Sequence, residues 1–109
     1  MAAARKRSRK PVKVTDEVAV VRCAAGIGLI REERWDDAQG DPVRYNLAFI
    51  NFHLFSGDKG RVLGYDTAHG RVHRHFAGHV EMIEPASYSE ILSRFMAEVE
   101  TLKMRKAPL

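Results

Sequence analysis

The chain has 109 residues, 18 of them Lys or Arg against 14 Asp or Glu, with a formal charge of +4 and an apolar share of 45%. That is enough chain to bury one core without disulfides or metal, and little for an enzyme with its own cofactor-binding fold. The single cysteine, Cys23, excludes an intramolecular disulfide. The lack of a long apolar run or a signal-like segment predicts a soluble, cytoplasmic protein with no membrane contact.

The charge is unevenly placed. Arg5, Lys6, Arg7, Arg9, Lys10 and Lys13 supply six of the 18 cations, and all 14 acids follow residue 13. The tail is basic and the body is not. Like charges without apolar periodicity predict a disordered tail over residues 1–14, followed by a single domain over 15–109. Such an arm can lie along nucleic-acid phosphate through Arg5, Lys6, Arg7, Arg9 and Lys10, blind to sequence and sensitive to salt, or it can simply solubilise the chain.

Val18, Val20 and Val21 favour a strand over the short helix that Thr15-Asp16-Glu17 could cap. Gly26-Ile27-Gly28 is too short for a dinucleotide fingerprint, since Arg31 stands where the third glycine belongs, and it reads as a bend. Leu29 to Trp35 and Val43 to Leu54 read as strands of a hairpin around the turn-rich Asp36 to Pro42. In the second of these, Tyr45, Leu47 and Phe49 share one face, and Ala48, Ile50, Phe52 and Leu54 the other. Both faces are then at least partly covered, as in a central strand.

After the turn Ser56 to Gly60 comes the densest run of titratable groups. Residues 60–79 hold four of the five histidines. Strands over 62–66 and 71–76, joined across Thr67-Ala68-His69-Gly70, make a hairpin with His69-Gly70 at its tip. Alternation puts Arg71, His73 and His75 on one face and Val72, Arg74 and Phe76 on the other. Pairing Thr67 with Gly70 would set Gly64 opposite His73, leaving room beside an imidazole. Val80 to Ile83 can extend the sheet. Pro85 ends it, and Ser87-Tyr88-Ser89-Glu90 matches a capping box ahead of a helical stripe of Tyr88, Ile91, Leu92, Phe95, Val99 and Leu102. The fold class is therefore α+β: an antiparallel meander of four to five strands with one carboxy-terminal helix packed on it.

The hairpin admits two chemistries. His73 and His75, with His69 or Asp66, could ligate a metal, but no third ligand stands at a defined spacing. The second chemistry needs no metal or other cofactor and acts on RNA. One imidazole among His69, His73 and His75 takes the 2′-hydroxyl proton, another or Tyr65 serves the leaving oxygen, and Asp66 fixes a tautomer. Arg61, Arg71 and Arg74 neutralise phosphate. Against both stands a merely polar hairpin. P-loop and nucleophile-elbow contexts are absent, and Cys23 lies in an apolar run without a base.

The run Leu63-Gly64-Tyr65-Asp66-Thr67-Ala68-His69-Gly70-Arg71-Val72-His73-Arg74-His75 resembles the Tyr-Asp-Asn-Ala-His-Gly, then His-Arg-His signature of small bacterial TumE-type toxins. Thr67 replaces the expected Asn, and the basic tail is outside the pattern. Arg31 to Trp35 and the terminal helix extend the likeness. The resemblance implies the toxin of a toxin-antitoxin pair, with a helix-turn-helix antitoxin as partner, and supplies no catalytic residues. Taken together, these readings predict a toxin acting on RNA through the hairpin, a metal-independent ribonuclease. The alternative is a non-catalytic nucleic-acid- or protein-binding module. An exposed sheet edge could be covered by the antitoxin or by a second copy, making a homodimer.

Overall fold

The computed structural model describes residues 10–109. The contacts expected of Arg5, Lys6, Arg7 and Arg9 lie outside the described residues, and Lys10 is exposed. Six strands follow in chain order: β1 Val12–Cys23, β2 Gly26–Asp36, β3 Pro42–Ile50, β4 Arg61–Ala68, β5 Arg71–Phe76 and β6 His79–Met82. The helix α1, Tyr88–Lys103, closes the domain. Every strand pairs antiparallel with its neighbours in sequence, so the sheet is a pure meander with α1 on one face. The α+β expectation holds, with six strands instead of four to five. The first strand begins at Val12, inside the stretch read as tail. No helix among the described residues is long and apolar enough to cross a membrane.

The turns follow their residues. His69 and Gly70 both take positive φ, 53° and 73°, and this two-residue turn suits the right-handed twist of β4 and β5. Thr67 therefore stays in the strand opposite Val72, and Gly64 faces His75, not His73. Between β2 and β3, Asp37 Oδ1 accepts from Gln39 N and Asp41 N, an Asx-type closure. Strand β3 stops at Ile50, four residues short of the expected Leu54. The buried Asn51 accepts from His53 N and Leu54 N through its side chain and turns the backbone out of the ladder. Phe52 is consequently exposed, while Leu54 is buried from the loop.

The core lies between the sheet and α1. Leu47, Phe49, Leu63 and Tyr65 meet Ile91, Phe95, Val99 and Leu102. The stripe forms as the 3.6-residue period requires, and the capping box is complete: Ser87 Oγ accepts from Glu90 N, and Glu90 accepts from Ser87 N. Ala24 N donates to Lys103 O at 2.8 Å, fixing the carboxy-terminal end of α1 to the β1–β2 turn. Among the described residues, no helix lies on the opposite sheet face.

Candidate functional site on the helix-free sheet face

A β-bulge builds the site. Phe49 pairs with Leu63, but the next residue, Ile50, pairs with Arg61, so Val62 is the extra residue on β4. Were Val62 regularly paired with Ile50, alternation would send Arg61 toward α1 with Leu63 and Tyr65. With the bulge, Arg61 emerges on the open face beside Gly64 and Asp66. Gly64 makes this approach feasible, because a Cβ there would sit 2.8 Å from Arg61 Cδ. The room expected beside an imidazole is real, and the Arg61 stem occupies it.

Arg61 is then held at three points. Its Nε donates to Asp58 Oδ2 at 2.8 Å, one terminal nitrogen lies 3.3 Å from Asp66 Oδ2, and the other lies 3.1 Å from His75 Nδ1. A guanidinium has only donors, so Nδ1 must be the acceptor and the His75 proton sits on Nε2. His75 Nε2 is 3.0 Å from Asp66 Oδ2, but off the line a hydrogen bond needs, and that nitrogen is buried without a bonded partner. The imidazole is thus confined between a cation and a carboxylate. His73 lies directly opposite Asp66, and its Nδ1 is also buried and unpartnered. Arg71 continues the same face and is exposed.

Toward β1 the face continues as a charged lattice. Glu33 accepts from Lys13, Arg31 and Asn46, and the Lys13 ammonium is the chief cause that holds its carboxyl below the usual range. Trp35 carries the Arg44 guanidinium 4.2 Å and the Lys13 ammonium 5.0 Å from its ring centre. Arg31, Asn46, Asp58, Lys59 and Arg61 line a shallow concavity with Ala48 among its walls. Sequence reasoning missed Asp58 and Asn46, and it met Arg31 and Glu33 only as part of the Arg31 to Trp35 run, without a place in the site, because only the register gathers the four.

The other sequence-predicted residues separate from this group. His69 sits exposed at the turn tip. Tyr65 and Arg74 pair across β4 and β5 on the helix side, where both bond to Glu98 of α1. Burial, and then the bond to Glu98, pushes the Tyr65 phenol up from its ordinary value. The bond to Glu98 likewise raises Arg74. A proton donor at the leaving oxygen and a phosphate clamp are both wrong roles for these two, since the core and α1 shut them off from the open face. Of the expected catalytic set, Asp66, His73 and His75 remain together, joined by Arg61 and Arg71. Among the described residues no three His, Cys, Asp or Glu side chains gather as a metal-ligand set.

In comparisons with family models, curated proteins and solved structures, nothing matches this chain. The resemblance to the TumE-type signature therefore stands on the quoted residues alone.

Proposed function

We propose that the chain is the toxin of a toxin-antitoxin pair and that its helix-free sheet face acts on RNA. The observation that carries this reading is the Arg61–Asp66–His75 cluster with His73 opposite Asp66, on a sheet face that no helix covers. In the reaction, one imidazole of the His73/His75 pair takes the 2′-hydroxyl proton. The 2′-oxygen then attacks phosphorus, and the second imidazole returns a proton to the departing 5′-oxygen, leaving a 2′,3′-cyclic phosphate and a 5′-hydroxyl. Arg61 and Arg71 offset the charge that grows on the phosphoryl oxygens. Asp66 and Arg61 position His75. A helix-turn-helix antitoxin remains the proposed partner.

A specific observation also favours the non-catalytic reading. Both ring nitrogens of His75 face protein groups, and its side chain is only 16% exposed. A face of arginines around Trp35 would in that case bind a nucleic-acid backbone and do no chemistry on it.

The separating experiment is tightly induced expression in a bacterial host, comparing the wild type with His73→Ala/His75→Ala and with Asp66→Asn. The expected outcome is growth arrest by the wild type only, with RNA fragments ending in cyclic phosphate. A double variant that folds by circular dichroism and still arrests growth fully would remove the catalytic assignment. Arrest without RNA cleavage would leave the binding module.

A further inference from the structure

The sheet has one long edge. Strand β1 has 12 residues, whereas β6 at the other edge has four. The hydrogen-bonding direction along β1 follows from β3. Tyr45 N donates toward β4, to Thr67 Oγ1, so the main-chain groups of Tyr45, Leu47 and Phe49 point that way and those of Asn46, Ala48 and Ile50 point toward β2. Carried through the observed register, the alternation turns Gly28, Ile30 and Glu32 toward β1, and Glu17, Ala19 and Val21 toward β2. Asp16, Val18, Val20 and Arg22 are left with N–H and C=O directed away from the sheet. Their side chains share the helix-free face, and Val18 and Val20 are 57% and 70% exposed.

We infer that this edge pairs with β1 of a second copy of the chain, antiparallel and centred on Ala19. Two independent features select that centre. Regular pairing with β2 is interrupted between Lys13 and Thr15 and ends at Cys23, so the regular segment is 15–23 and Ala19 is its midpoint. The side chains agree. About Ala19, Asp16 stands opposite Arg22 of the second copy, and Val18 opposite its Val20, so on the helix-free face each exposed valine gains an apolar cross-strand neighbour and each charge an opposite one, while Glu17 meets Val21 on the other face. Both pairs fall at residues whose main-chain groups point outward, as hydrogen-bonded pairs require, and Ala19 meets Ala19 at a non-hydrogen-bonded position. Recentring on Val18 sets Asp16 against Val20, and recentring on Val20 sets Val18 against Arg22. Either shift leaves a charge facing an exposed valine on the helix-free face, which centring on Ala19 does not.

The two-fold axis is then perpendicular to the sheet. Both helix-free faces lie on the same side, and both α1 helices on the other. The regular segment 15–23 carries no proline, and at its centre Val18, Ala19, Val20 and Val21 run uncharged, the condition in which a strand recruits another strand. The inference needs no RNA and does not depend on the function proposed above.

Light scattering on the full chain over a dilution series tests it, with three sets of variants. The wild type is expected to be dimeric when concentrated. Val18→Pro deletes an outward N–H while sparing the β1–β2 ladder, and should be monomeric with an unchanged circular dichroism spectrum. Asp16→Arg and Arg22→Glu should each raise the dimer dissociation constant about tenfold or more, and mixing the two should restore a heterodimer. Ala19→Cys should cross-link under mild oxidation, whereas the wild type, with Cys23 alone, should not. If Val18→Pro fails to fold, the charge pair and the cross-link decide. A wild type monomeric at every concentration overturns the inference. A dimer untouched by the proline and by both charge reversals overturns it as well, placing the contact on another surface.

Discussion

The two faces of the sheet hold similar residues and use them oppositely. On the covered face, Tyr65, Arg74 and Glu98 form a closed set of donors and acceptors over the core, and Tyr88 reaches Glu32 while packing edge-on against Tyr45. On the open face, Arg61, Asp66, His73 and His75 are brought equally close, yet His73 Nδ1 and His75 Nε2 lack partners, as do Arg31 Nε and Asn46 Oδ1 nearby, whereas among the described residues the covered face leaves one such atom, the Tyr45 hydroxyl. A network built for stability pairs its buried polar atoms, because each one left alone costs about 1–3 kcal/mol. The open face carries more of that cost than the covered face does. The difference teaches that proximity of charged groups identifies a site only when their hydrogen bonds are counted.

The contrast is broken or sharpened by stability measurements. Phe95→Ala, in the fully buried stripe of α1, should lower unfolding free energy by about 3–5 kcal/mol in urea titrations. Glu98→Ala strips Tyr65 and Arg74 of their acceptor and should cost about 1–3 kcal/mol. Asp66→Asn on the open face should cost less than about 1 kcal/mol while abolishing growth arrest. Equal losses for Glu98→Ala and Asp66→Asn would show the open cluster to be structural, and the contrast would fail.

Alkali provides the next discriminator. Tyr45, Tyr65 and Tyr88 are all held above the ordinary phenol value, in each case chiefly by burial. A folded-state pKa above the unfolded one contributes stability that is complete below the unfolded value, about pH 10, and is lost as pH climbs through the folded values. Melting temperature should accordingly fall above about pH 10, and Tyr65→Phe should flatten that decline. An unchanged profile would place the phenols in no special environment. The smallest effect belongs to the turn tip. His69→Asn suits a positive φ better and should stabilise by a few tenths of a kcal/mol without altering toxicity, whereas Gly70→Ala, at φ 73°, should cost about 1–2 kcal/mol.

Much of this was legible because local rules governed it. Alternation alone separated Arg71, His73 and His75 from Val72, Arg74 and Phe76, and the capping box located the helix start at Ser87. What escaped depended on counting across turns. Closing the hairpin at His69-Gly70 needs only those two residues, so the register moved by two and His75, not His73, came to face Gly64. Asn51 ended β3 through side-chain bonds that no hydrophobic pattern announces. Tyr65 and Arg74 were misplaced because their acceptor, Glu98, lies 33 and 24 positions further along. Neither did spacing hint that Val62 would be passed over in the pairing of β3 with β4, and that is what delivered Arg61 to the site.

That passed-over valine makes the chemistry of the open face a matter of chain length as much as residue identity. Inserting one residue between Phe49 and Ile50 would change no charged side chain, yet it would give Val62 a partner, return the ladder to regular pairing and swing the guanidinium of Arg61 round to the helix side. An insertion in β3 opposite Val62 is therefore a lever on Asp66 and His75 that substitution alone does not offer. A variant could lose the Arg61 contacts to Asp66 and His75 there while keeping every residue of the histidine hairpin.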